Sequence, residues 1–187
     1  MLFIPKGAPE SFDVAASILS AFQKRDSRRL RKLNDDLVKE AIIHFTKPMY
    51  EYSVLSYVLS KILSKPRFLQ PEHQHTINNI LKRLNILART RQGDESFVLA
   101  RINDVKSAIA ELERRDSRFV LNLVTKGNLK VAATMYAQGV SLGTAAEMTG
   151  IEKQEILDYA GKTMMFDRVK EEKSIEERMK MVRTLAE

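Results

Sequence analysis

The chain has no cysteine. Without thiols there is no disulfide framework, no thiol nucleophile and no cysteine-ligated zinc or iron–sulfur site. Such a composition fits a reducing compartment. No stretch approaches the ~18 uncharged apolar residues of a membrane span. The opening "MLFIPKGAPESF" lacks the charged segment and long apolar run of a signal peptide. The expectation is a cytoplasmic protein with no membrane contact. Also lacking are a phosphate-cradling glycine loop, a dinucleotide fingerprint and a metalloprotease pair of histidines. No catalytic residue, metal ligand or cofactor is therefore predicted, and the chain does not read as an enzyme.

What is present is helical period and positive charge. Of 187 residues, 44% are hydrophobic, enough for a core, and the formal net charge is +7. A basic balance points to nucleic acid or an acidic surface as partner. The charge is uneven. Residues 1–93 hold 16 Lys/Arg against 8 Asp/Glu, and the rest hold 15 against 16.

Nearly every segment repeats its apolar residues at helical spacing, and β signals are scarce. A first helix is predicted over 10–24, with Phe12, Ala15, Ala16, Leu19 and Phe22 on one face. "RDSRRLRK" continues or restarts it, with Asp26 or Ser27 as cap. Leu30, Leu33, Leu37 and Ala41 follow as a stripe. Pro48 suits the first turn of a third helix. A fourth is expected over 71–91. "QGD" at 92–94 is the clearest break, glycine past one helix and aspartate before the next. It divides a basic bundle, 1–92, from a C-terminal part, 94–187.

In that second part Val98, Ile102, Val105, Ile109, Leu112, Asp116, Phe119 and Leu123 are spaced alternately 4 and 3. They form an a/d seam with one polar member. The seam is either the core stripe of a bundle helix, broken by a cap at "RDS", or a helical pair across a homodimer. "KGN" at 126–128 is expected to end the segment. The tail from Arg168 is charged, with Val169, Ile175, Met179, Val182 and Ala186 as a thin apolar stripe. "KRDSRRL" (24–30) echoes "RRDSRFV" (114–120), either as a trace of duplication or as chance recurrence.

"SLGTAAEMTG" (141–150) followed by "IEKQEILDYAG" has the requirements of a helix-turn-helix. Ala145 and Ala146 let the second helix cross closely, and Gly150 serves the turn. Leu142, Ile151, Ile156 and Tyr159 plug the second helix into a core. Ser141 is a cap, and the helix carrying Val131, Ala132, Met135 and Tyr136 completes the trihelical unit, residues 128–162. Tyr136, Gly139, Ser141, Ala145, Ala146, Gly150 and Ile151 resemble the helix-turn-helix pattern of small prokaryotic regulators and antitoxin-like proteins. The likeness covers about 30 residues and implies a DNA-binding fold, used for repression or for grasping a partner protein. Residues 1–125 resemble no family.

In such motifs the second helix meets base edges with its first turn. The exposed positions are expected at Glu152, Lys153, Gln154, Leu157 and Asp158. Gln154 can address adenine, and Lys153 guanine or phosphate. Ser141, Thr144, Lys162, Arg168 and Lys170 are placed to contact backbone. The carboxylates of Glu152, Glu155 and Asp158 oppose a polyanion, and Leu157 suits a protein contact. A second phosphate-binding surface is expected on the basic run, where Arg25, Arg28, Arg29 and Lys32 share one helix face. The alternative is a solvated face partly neutralised by Asp26, Asp35 and Asp36.

Other candidates are weaker. "HQH" at 73–75 lacks a third metal ligand, and its histidines read as surface residues. Arg67 and His73 have the spacing of phosphate-binding and proton-transfer groups in some helical RNases, but Pro71 breaks the shared face. Asp36 and Glu40 have no matching carboxylate pair. Tyr50, Tyr52, Tyr57, Phe45 and Phe68 read as core aromatics before stacking platforms.

The expectation is an all-α protein: an N-terminal bundle, a long connecting helix, a trihelical helix-turn-helix and a tail helix. Function divides between a nucleic-acid-binding regulator, duplex DNA before RNA, and a protein-binding adaptor using Leu157 and the tail. The two are separated by whether the basic surface lies beside helix 152–160.

Overall fold

The computed structural model describes residues 11–90, 95–114 and 123–168, and every element among them is helical. In order these are α1 (Ser11–Gln23), α2 (Ser27–Ile43), α3 (Lys47–Leu63) and α4 (Gln74–Arg89), with 3-10 turns at Pro66–Leu69 and Pro71–His73 before α4. Then come α5 (Glu95–Arg114), α6 (Leu123–Ala137), α7 (Leu142–Thr149), α8 (Lys153–Lys162) and the single turn α9 (Met165–Arg168). None of the described helices is long and apolar enough to cross a membrane.

The bundle is organised around α3. Tyr50, Tyr52, Val54, Leu55, Val58, Leu59 and Ile62 are buried over one broad side of the helix, and Ser53, Ser56 and Ser60 over the other. A helix buried on both sides must be enclosed, and α1, α2, α5 and α6 pack against it. Ser53, Ser56 and Ser60 are buried with it, their hydroxyls donating to the carbonyls of Tyr50, Tyr52 and Tyr57. Those bonds satisfy polar groups that would otherwise be costly inside a core.

Helix α5 belongs to the same core. Val98, Ile102, Val105, Ile109 and Leu112 are buried within the chain against α3 and α4. The a/d seam, as far as it is described, is a core stripe, and its apolar side is not left over for a second copy. Asp116, Phe119 and the second copy of the echo from residue 115 onward lie outside the described residues. So does the 92–94 break, and the helices flanking it, α4 and α5, pack against each other.

Three expectations are corrected. "KGN" does not end a helix: residues 126–128 lie inside α6. Gly127 is there because α3 passes so close that a Cβ would lie 2.7 Å from Val58 Cγ2. On α1 the buried side is carried by Val14, Ala15, Ile18, Ala21 and Phe22, while Ala16 and Leu19 are only half-buried. The helix is turned from the expected face because it meets both α3 and α4. Helix α4 also starts later than expected, since Pro66 and Pro71 each open a 3-10 turn instead of an α-helix.

A second, smaller core joins Ala132 and Ala133 of α6 to Ala145, Ile156, Ala160 and Met165. Helix α6 serves both cores, since Val131 and Met135 face the bundle. The C-terminal trihelical unit is thus attached through a shared helix. Glu113 at the end of α5 strengthens the junction by accepting the Leu123 N–H at the start of α6.

Candidate nucleic-acid interface

In the trihelical unit a tight turn joins α7 to α8. Ser141 caps α7, its Oγ accepting from Thr144 N at 3.1 Å. Ala145 is fully buried where α8 crosses, and Ile156 and Ala160 fill the facing positions. The turn is made by Gly150 with φ +76°, a left-handed conformation that a side chain resists. Lys47 of α3 reaches the Thr149 carbonyl at 3.5 Å and fixes this turn to the bundle.

The expected contact positions on α8 are open. Lys153, Gln154, Leu157, Asp158 and Lys162 are all exposed, as is Glu152. Gln154 Nε2 donates to Asp158 Oδ1 at 2.7 Å, so reading adenine with this amide requires that bond to be exchanged. Ser141 and Thr144 hydroxyls lie 2.8 Å apart. The Lys153 ammonium lies beside them, 3.9 Å from the point where a Gly143 Cβ would stand. Three of the predicted residues therefore meet at the start of α7. Arg168 closes α9, and its side chain lies outside the described residues, as do Lys170 and the rest of the tail.

The basic run forms a second surface. Arg25, Arg28, Arg29 and Lys32 are exposed, and none forms an ion pair with a described residue. None of Asp26, Asp35 and Asp36 is ion-paired to these four cations. Asp26 is turned to cap α2, accepting Arg29 N at 2.9 Å. Asp35 faces the other way, where Lys130 partly offsets the upward push of burial on its carboxyl.

Arg25 is unusual in backbone as well. It ends α1 with φ +54°, its N–H bonded to Phe22 O and the Asp26 N–H to Ala21 O. This is the hydrogen-bond pair of a Schellman cap, a position glycine normally holds. At the matching point after α6 the residue is Gly139, φ +102°. Among the described residues only Met164, φ +48°, shares the departure, and its side chain is 66% exposed.

The sequence reading missed the residue that ties the basic run to the rest of the molecule. Arg31 Nη2 donates to Ser64 Oγ at the end of α3, 2.8 Å. It lies within electrostatic reach of Tyr57, whose hydroxyl is hydrogen-bonded to Tyr159 of α8. Burial, reinforced by Tyr159, pushes the Tyr57 hydroxyl up, and Arg31 pulls against it. Lys61 stands over the Tyr57 ring, 5.1 Å from its centre. The start of α2, the end of α3 and the C-terminal half of α8 are thus neighbours. Helical spacing alone could have flagged Arg31 only as a flank of the basic face.

The histidines divide. His44 and His75 are exposed, but His73 is buried against Phe68, ring centres 6.4 Å apart. Its expected surface position is corrected: the 3-10 turn after Pro71 rolls it into the bundle. Among the described residues no three His, Asp or Glu side chains gather as a metal-ion group.

The described residues form an all-α protein, a helical bundle with a smaller three-helix core at its C-terminal end. No family model, no curated protein and no solved structure matches this chain.

Proposed function

We propose that the protein binds nucleic acid, duplex DNA before RNA, in a regulatory role. The helix-turn-helix approaches the groove through Lys153 and Gln154, with Ser141, Thr144, Lys162 and Arg168 toward the backbone. Arg25, Arg28, Arg29 and Lys32 supply phosphate contacts. The observation that carries this reading is the exposed basic face without carboxylate partners. It lies at the end of the bundle where Arg31 comes near the Tyr57–Tyr159 link to α8. Phosphate contacts dominate nucleic-acid affinity. Between residues 128 and 163 there are only three basic residues against four acidic, so most of the affinity comes from the bundle.

The test is binding of fluorescent duplex DNA and of structured RNA across a salt series. Reversing Arg25→Glu and Arg28→Glu together is expected to flatten the log–log salt slope by about 2. Lys153→Glu with Gln154→Ala is expected to weaken DNA more than RNA. No binding of either ligand at low salt overturns the reading.

One observation favours a second reading, a protein-binding adaptor. Leu157, Met164 and Phe166 are 39%, 66% and 52% exposed, and Met164 holds a left-handed backbone to stay there. Under this reading Leu157→Lys with Phe166→Lys abolishes partner binding without touching DNA affinity.

A further inference from the structure

The end of α3 carries a group of cations that neither surface above accounts for. Ser64, Lys65, Pro66 and Arg67 line a shallow pocket of about 360 Å³. Arg31 is held at its edge by the 2.8 Å bond to Ser64 Oγ. Ser64 spends its own proton on the Ser60 carbonyl, 2.7 Å, so its oxygen is free to fix the guanidinium. Arg31 uses one N–H in this way and keeps its others for a second acceptor. Lys61 stands one turn before Ser64 on the same helix, its ammonium over the Tyr57 ring.

The charge here is unbalanced. Neither Arg31 nor Lys61 has a carboxylate within ion-pair distance among the described residues. The C-terminal dipole of α3 offers roughly half a negative charge against two full cations. Burial lowers the Lys61 pKa, and the neighbouring Arg31 lowers it further. Two cations from different helices therefore stand near each other beside Tyr57 and Ser64, at an electrostatic cost that an arriving anion removes.

We propose that Arg31 and Lys61 form a binding site for a phosphomonoester dianion, its phosphate held between the two side chains beside the end of α3. Two uncompensated positive charges match a dianion better than the single charge of a phosphodiester. A fork of N–H donors beside an ammonium suits phosphate oxygens. The same chemistry is offered by a small phosphoester and by the terminal phosphate of a nucleic-acid strand. The second source rests on the nucleic-acid reading above, whereas the site itself does not.

The experiment titrates the full chain with phenyl phosphate and, separately, with dimethyl phosphate, a monoanion. Binding is followed by the backbone amide resonances of Lys61 and Ser64–Arg67. Saturable shifts are expected with phenyl phosphate, at least tenfold weaker with dimethyl phosphate. Arg31→Gln and Lys61→Met are each expected to weaken phenyl phosphate tenfold or more, and Arg28→Gln to leave it unchanged. An absence of saturable shifts, equal response to the monoanion, or unaltered binding by both variants overturns the proposal. A 5′-phosphorylated oligonucleotide binding tighter than its 5′-hydroxyl twin, with the excess lost in Arg31→Gln, assigns the site to strand ends. Equal oligonucleotide binding alongside tight phenyl phosphate assigns it to small phosphoesters. Duplex affinity and the Arg25/Arg28 reversals judge the earlier reading separately.

Discussion

Replacing Gly127 by alanine sets helix propensity against packing at the junction of bundle and helix-turn-helix. Gly127 lies inside α6, where alanine is favoured over glycine by ~1 kcal/mol. The new Cβ, however, falls 2.7 Å from Val58 Cγ2 and 3.2 Å from Val54 Cγ1. Both valines are buried on the central helix, and a β-branched side chain in a helix has one strongly preferred rotamer. The overlap therefore moves α6 away from α3, and over-packing of this kind costs ~1–3 kcal/mol. The net expectation for Gly127→Ala is a loss of about 1 kcal/mol, or 2–4 °C in Tm for a chain of this size. In a Val58→Ala background the nearest clashing atom is gone, and the same substitution is expected to stabilise by about 1 kcal/mol. The two numbers give a coupling of about 2 kcal/mol with a definite sign. Urea unfolding of the four proteins in the cycle measures it. A Gly127→Ala effect that is equal and stabilising in both backgrounds refutes the close approach of α6 to α3.

Two other perturbations follow from single residues. Arg25→Gly relieves the left-handed backbone at the end of α1 and is expected to raise stability by about 1 kcal/mol while lowering nucleic-acid affinity. An unchanged urea midpoint would remove the strain argument. Glu113 is buried, and burial raises its pKa above 4.5 although the Leu123 N–H and nearby lysines pull it down. A carboxylate raised on folding stabilises below its unfolded pKa and loses that contribution as pH rises through the folded value. The wild type is therefore expected to lose stability relative to Glu113→Gln as pH rises through and above the ordinary glutamate range, about 4.3. Parallel urea midpoints across that range check it, and a constant difference contradicts it.

The legible parts of this molecule were those written in local spacing. Ser141, Ala145, Gly150 and Ile156 stand where a cap, a crossing point, a turn and a core plug are needed. All four follow from positions along ten or fifteen residues. The all-α class follows equally from repeated apolar spacing. What was not legible depends on partners distant in sequence. "KGN" looks like a stop because glycine and asparagine commonly follow helices. It is a helix interior because α3, some seventy residues earlier in the chain, presses against it. His73 reads as polar surface until the 3-10 turn after Pro71 places it beside Phe68. Arg31 reads as one more cation in a run until Ser64, 33 positions away, takes its guanidinium.

The distribution of charge decides how the two surfaces can cooperate. Helix α8 offers Lys153 and Lys162 but also Glu152, Glu155 and Asp158, all exposed. A helix so balanced gains little from phosphate and cannot hold a duplex by itself. The bundle end has the opposite character, with Arg25, Arg28, Arg29 and Lys32 exposed and their nearby aspartates engaged elsewhere. The Tyr57–Tyr159 bond joins α8 to α3, and the Lys47–Thr149 contact joins the end of α7 to it, so the trihelical unit is tied to the bundle at two points. On the nucleic-acid reading proposed above, a polyanion drawn to the basic end meets α8 from the side that carries Tyr159. Severing Tyr57 from Tyr159 with Tyr57→Phe keeps every cation in place. Its effect on affinity then measures the alignment of the two surfaces apart from their charge.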